Sequence, residues 1–216
     1  MHLRPEAIET ESFRIIEAEL GPHSWSAAEW PVVRRAIHTS ADFDYARTMM
    51  FAPDAVLCGI AALQRGRNLV TDTTMALAGI NKRLLARFGN SISCHVAAPD
   101  VAVAAAKEGV TRSILAMRRA ATDTGNGIFV IGNAPTALFE LLRLVREQGL
   151  RPDLIIGLPV GFVGAEESKD ALILEASEHN IPFITNRGRK GGSNVAAAVV
   201  NALLLMVDGT DDKEKA

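Results

Sequence analysis

Five short apolar runs, at residues 68–71, 91–96, 128–131, 154–156 and 182–185, recur along the chain. Each is followed by a stretch whose apolar residues return every three or four positions. Runs such as Ile128-Phe129-Val130-Ile131 are apolar without alternation, the pattern of a strand buried on both faces. The intervening stretches, at 75–88, 101–107 with 112–121, 136–148, 168–179 and 194–207, have helical spacing, as in Leu138, Leu141, Leu142 and Val145. Strand and helix therefore alternate, which predicts an α/β protein whose parallel, five-stranded sheet is wrapped on both faces by helices. Two further helices, over residues 12–20 and 30–38, precede the first strand as an N-terminal helical extension. With 216 residues, 48% of them hydrophobic, the chain has enough apolar material for one full core, so a single domain over 1–216 is expected. Residues 208–216, DGTDDKEKA, read as a solvated tail.

Charge narrows the partners. Lys and Arg number 23 against 25 Asp and Glu, and no long basic run offers a nucleic-acid or membrane surface. Positive charge for an anionic small molecule must then be local. Cys58 and Cys94 lack any CxxC or Cys/His spacing, so they read as small core residues in a reducing compartment, and no metal site is expected. Neither the first residues nor any later window has the apolar run of a signal or a membrane span, so a cytoplasmic location is expected.

Ligands of parallel sheets sit at the carboxyl ends of the strands, where loops meet helix N-termini. After the first run comes Thr71-Asp72-Thr73-Thr74-Met75, which reads equally as a helix cap. After the third, Gly132-Asn133-Ala134-Pro135 supplies a sharp exit and a helix start, but no GxGxxG. The fourth loop, from Gly157 through Gly161 and Gly164 to Lys169, is longer than a connection requires. The fifth, Asn186-Arg187-Gly188-Arg189-Lys190-Gly191-Gly192-Ser193-Asn194, sets three cations and three glycines before an apolar helix. That suits a nest for phosphate or carboxylate, and it also suits a solvated basic turn capped by Ser193. Arg112, at a helix start after Gly109, adds a guanidinium toward the same edge.

One more cluster lies upstream. In Arg34-Arg35-Ala36-Ile37-His38-Thr39-Ser40-Ala41-Asp42-Phe43-Asp44, helical spacing lets Arg35 and His38 share a ligand. Thr39, Ser40 and Asp42 favour a helix end, which places His38 in the last turn. There the helix terminus and nearby Asp42 or Asp44 favour imidazolium, while the adjacent arginine opposes it. A general acid is one reading and a satisfied helix-end histidine is the other. Ser26-Ala27-Ala28-Glu29 resembles a capping box that puts Pro31 too deep, so this helix is expected to start twice.

Six segments together resemble the precorrin-8X methylmutases of cobalamin biosynthesis: residues 37–44, 71–77, 109–113, 132–139, 159–165 and 188–194. The resemblance runs from Glu11 to the final helix. It implies a flavodoxin-like three-layer α/β/α sandwich, a homodimer with sites near the subunit boundary, and an isomerase that moves a methyl group from C-11 to C-12 of a corrin macrocycle. It assigns catalysis to His38 and contacts with the macrocycle to Ser12 and Arg35. It also puts Thr73, Arg112, Asn133, Gly161, Arg189 and Gly191 around the ligand. No cofactor is implied, and any cobalt belongs to the substrate. Residues 36–44, 76–83 and 190–194 look more like the anaerobic branch, which acts on cobalt-precorrin-8, than the aerobic branch, which acts on metal-free precorrin-8X. A non-catalytic corrinoid carrier would share the pocket. A nucleotide-dependent oxidoreductase is disfavoured by the missing GxGxxG and by the lack of an acidic ribose partner.

Overall fold

The computed structural model describes residues 5–209. In chain order its elements are α1 (Pro5–Leu20), α2 (Trp30–Ser40), α3 (Tyr45–Thr48), β1 (Met49–Phe51), α4 (Ala55–Gln64), β2 (Asn68–Thr71), α5 (Thr74–Gly79) and α6 (Lys82–Arg87). There follow β3 (Ile92–Ser93), α7 (Pro99–Glu108), α8 (Arg112–Ala121), β4 (Asn126–Ile131), α9 (Pro135–Gln148), β5 (Leu154–Gly157), α10 (Ala165–His179), β6 (Phe183–Asn186) and α11 (Ser193–Asp208).

The strands form one mixed sheet in the order β1-β6-β5-β4-β2-β3. From β2 to β6 all pairings are parallel, while β1 runs antiparallel to β6. The five parallel strands, counted alone, take the doubly wound order 2-1-3-4-5, whose direction of winding reverses between β2 and β4. Successive strand residues face opposite layers. Leu69, Ile128, Val130, Ile156 and Ile184 pack against α2, α4 and α11, whereas Val70, Phe129, Ile131, Ile155 and Phe183 pack against α8, α9 and α10. This is why the strands carry no polar alternation.

Several expectations are corrected. The sheet has six strands, not five. β1 spans only three residues directly after a one-turn helix, too few for a period to be read. The expected strand over 91–96 pairs only at Ile92 and Ser93, because at the sheet's edge it has one neighbour, β2. α4 has no counterpart in the sequence reading. The expected helix over 75–88 is two, α5 and α6. The break at Ile80 and Asn81 is closed from afar: Asn201 of α11 accepts the Asn81 amide at 2.8 Å and donates to the Gly79 carbonyl at 2.9 Å. Asn81 then caps α6 by accepting the Leu84 amide at 3.1 Å.

At the other end, α11 runs to Asp208, whose carboxylate meets Arg87 at 2.6 Å. The rest of the expected tail, from Thr210, lies outside the described residues. Among the described residues no helix is long and apolar enough to cross a membrane.

Candidate active site

His38 sits in the last turn of α2, as the sequence predicts. The start of α2 also matches: Ser26 and Glu29 exchange capping-box hydrogen bonds of 3.1 and 3.2 Å, and Pro31 enters in the first turn of the helix proper. Buried Val32, Val33, Ala36 and Ile37 hold α2 against the core and leave His38 half-buried at the rim. The imidazole makes an edge contact with Phe13 of α1, with ring centroids 5.2 Å apart. It has no hydrogen bond to a described residue, so both ring nitrogens are open to a ligand.

Beside His38 is a cleft of about 320 Å³, lined by Ser12, Ile15, Ile16 and Glu19 of α1, with Ile37, Ala41 and Phe43. Ser12 and His38 are therefore brought together. The Ser12 hydroxyl donates to the Ile8 carbonyl at 2.8 Å, which leaves its oxygen free to accept.

Arg35 does not line that cleft. Its guanidinium lies 4.8 Å from the Phe13 ring centroid and is ion-paired with Glu9 of α1. Arg34 lies over the same ring at 4.0 Å and pairs with Glu17 at 2.8 Å. Both arginines and the imidazole thus touch the Phe13 ring, and α1 supplies a glutamate to each arginine. Arg35 therefore reaches the edge of the His38 cleft only if it leaves Glu9.

The aspartates are likewise engaged elsewhere. Lys190, from the loop after β6, places its ammonium 2.5 Å from Asp42 and 2.6 Å from Asp44. Those hydrogen bonds hold the Lys190 ammonium above its ordinary value, and Lys190, with Arg47, holds the Asp44 carboxyl below its own. Lys190 is therefore a clamp between loop and helix end rather than a free cation of an anion nest.

A second group of residues lines the carboxyl edge of the sheet. Thr73 caps α5 by accepting the Ala76 amide at 3.1 Å, and its hydroxyl lies 2.8 Å from that of Ser193. Ser193 does not cap its helix, contrary to the sequence reading; the N-cap position is Gly192. Asn133 is exposed at the start of α9, where its amide donates to Asp72 at 2.9 Å. Gly161 has φ +145° and donates to the Arg189 carbonyl at 3.2 Å, which joins the fourth loop to the fifth. Arg189 is exposed, 3.9 Å from Glu166 and 5.7 Å from the Phe162 ring centroid. A Cβ on Gly191 would lie 2.6 Å from the Pro159 carbonyl oxygen, so only glycine lets these two loops touch. Arg112 opens α8 as an exposed cation, next to α9 through the 3.2 Å bond between Thr111 and Thr136.

Two buried groups of this edge escaped the sequence reading as more than loop residues. Asp72 accepts the amides of Gly132, Asn133 and Ala134 at 2.9, 2.9 and 2.7 Å, tying the two strand ends at which the winding reverses. Burial raises its carboxyl above the ordinary range, and the three amides oppose that. The other is Lys169 of α10, fully buried, with its ammonium 2.7 Å from the Lys190 carbonyl and 3.3 Å from the Asn186 side-chain oxygen. Its spacing was readable, since Ala165, Lys169, Leu172 and Ala176 fall on one helical stripe.

The cleft on α1 and α2 and the loops at the sheet edge are thus separate surfaces joined by the Lys190 clamp. Comparison with known proteins identifies the family. The Precorrin-8X methylmutase family model matches residues 7–206. The chain is 46% identical to the cobalt-precorrin-8 methylmutase of Priestia megaterium, over 95% of this chain and 90% of that protein. It is 39% identical to the precorrin-8X methylmutase of a Sinorhizobium species, over 91% of this chain and 92% of that one. A crystal structure described as the precorrin-8X methyl mutase of Thermus thermophilus superposes with a TM-score of 0.84 at 41% identity, covering 94% and 98% of the two chains. The chain belongs to the precorrin-8X methylmutase family, isomerases of corrin biosynthesis.

Proposed function

We propose that the natural substrate is cobalt-precorrin-8, and that the enzyme moves its C-11 methyl group to C-12 with His38 as the proton donor. Support for the cobalt-bearing substrate comes from relatives named cobalt-precorrin-8 methylmutase, which range from 39% to 46% identity, against 38% and 39% for two named precorrin-8X methylmutase. Cobalt here is part of the substrate.

The observation that carries the catalytic reading is the position of His38. It is the titratable side chain with free ring nitrogens in the cleft's helix-end wall, with Ser12 opposite and apolar Ile15, Ile16 and Phe43 around it. Arg34 and Arg35, the cations nearest along α2, are paired with Glu17 and Glu9 and so are engaged away from the cleft. An imidazolium there lends a proton to a ring nitrogen of the macrocycle, which favours the rearranged conjugation after migration. Isomerisation leaves the atom count unchanged, so the proton returns and His38 ends the cycle as it began.

A cleft of about 320 Å³ stands at the small end of ligand sites and takes one edge of a corrin ring. The remainder is held by the carboxyl-edge loops. Arg112 and Arg189 meet rim carboxylates, Thr73 and the Asn133 segment line the approach, and the glycines at 161 and 191 let backbone come close to the ring. The three-layer, flavodoxin-like reading of the fold rests on the strand order and on helices against both faces. A homodimer with its sites near the subunit boundary fits the apolar loop tip, where Phe162 and Val163 are 85% and 89% exposed.

The test is anaerobic incubation of the purified protein with cobalt-loaded and metal-free substrates in parallel. Faster conversion of the cobalt form is expected, and preference for the metal-free form rejects that substrate. His38→Ala should bind product yet fail to convert substrate, with turnover lowered about 10²- to 10⁴-fold as for loss of a general acid. Unchanged turnover removes His38 from the mechanism.

A further inference from the structure

Lys169 is a sealed cation to which the proposed mechanism assigns no role. Its side chain is 0% exposed, and among the described residues no carboxylate lies within ion-pairing distance of it. Burying an ammonium against neutral acceptors is costly, and methionine of similar length would fill the same space without that cost. What the ammonium supplies is geometry. It donates to the Lys190 carbonyl at 2.7 Å, and the Asn186 side-chain amide donates to the same oxygen at 2.9 Å. Both lone pairs of that carbonyl are then in use, and the backbone at residue 190 has one orientation.

From this fixed point the Lys190 side chain reaches away from the core to Asp42 and Asp44. The first of those aspartates directly follows Ala41, the C-cap of α2, and accepts the Asp44 amide at 3.0 Å, which makes the turn rigid. His38 lies one helical turn before that cap. A continuous series of hydrogen bonds therefore runs from inside α10, through one loop residue, to the helix end bearing the imidazole.

We propose that Lys169 is a positioning residue for the methyl migration: by locking the Lys190 backbone it aims the Lys190 side chain at Asp42 and Asp44, and so sets His38 at a fixed distance from the loops that hold the substrate's rim. The inference rests on His38 as proton donor. It differs from a purely structural role because its effect passes through Lys190, and it should appear in the chemical step rather than in binding.

The test uses full-length Lys169→Met, Lys190→Met and the double variant, with His38→Ala in parallel. Anaerobic kinetics on cobalt-precorrin-8, spectral titration with product and thermal unfolding are measured on each. Each single variant should lower kcat by about tenfold or more, since a displacement near 1 Å at a reacting group is worth up to about a hundredfold. Product affinity should stay within about threefold of wild type. The double variant should be no slower than the slower single one, because residues acting in one series do not add. Multiplied effects, or a Lys190→Met enzyme with wild-type kcat, overturn the proposal. If Lys169→Met fails to fold, Lys190→Met decides alone, because it removes only a solvent-facing contact. Wild-type turnover by His38→Ala overturns both this inference and the site reading, whereas an inactive His38→Ala beside a fully active Lys190→Met overturns this inference only.

Discussion

At the scale of single residues, charge in this protein is mostly paired inside the chain, and that governs what mutation reveals. Arg35 is 12% exposed, partnered by Glu9 and stacked on Phe13. For a rim carboxylate of the substrate to use Arg35, it must replace Glu9. Glu9→Gln should therefore tighten product binding at low salt, by up to about 1 kcal/mol for a half-exposed pair. Arg35→Ala should weaken it by about 1.5–3 kcal/mol, the value of a charge-assisted bond. Equilibrium titration with product checks both, and unchanged affinity in both variants means that Arg35 holds α1 to α2 and nothing else. The sequence showed that Arg35 lies one turn before His38. It did not show that both touch Phe13, because that residue arrives from another helix, 22 positions before Arg35. The aspartates were found on the correct side of His38 for the same local reason. Their partner, Lys190, lies more than 140 positions away, and pairing at that range has no period to read.

At the scale of elements, helical periodicity identified most helices and missed those with interruptions or without a polar face. α4 (AVLCGIAALQ) is apolar almost all round, so no stripe stands out. Between α5 and α6 the break is set by Asn201, which satisfies one donor and one acceptor left by the two helix ends. Asn201→Leu should leave the Gly79 carbonyl and the Asn81 amide without those partners. A loss of about 1–2 kcal/mol is expected, reduced by solvent at this partly exposed site. Urea unfolding would show it as a lower midpoint with an unchanged slope, since the surface exposed on unfolding is the same. Turnover should be retained, because the break lies away from the His38 cleft; a fall in kcat would place α5 and its Thr73 cap in the chemical step.

At the scale of the whole molecule, the sequence disclosed the α/β class and the loops that gather at one edge of the sheet, because both follow from continuous apolar strands and the segments after them. It did not disclose the antiparallel sixth strand or the buried lysine joining α10 to the β6–α11 loop, since one is too short and the other is a polar residue in an apolar stripe. The lysine has a consequence for stability. Burial pushes the Lys169 ammonium from 10.5 down to about 8. Below pH 8 both folded and unfolded chains carry the proton, and the folded one bears the full penalty of the buried charge. Between about pH 8 and 10.5 the folded lysine is neutral while the unfolded one still binds a proton. Stability therefore rises with pH through that window and falls as pH drops back to 8. Glu166 and Asp170, on the same helix, act the other way and keep the value from falling further. Tyr45, whose hydroxyl burial pushes up to about 12, begins to oppose the trend only above its ordinary value of 10. The difference between wild type and Lys169→Met isolates the lysine: the variant's advantage in unfolding free energy should shrink by on the order of 3 kcal/mol from pH 8 to 10.5. Parallel unfolding curves for the two proteins across that range would mean that the ammonium reaches solvent, and the seal beneath the β6–α11 loop would be lost with it.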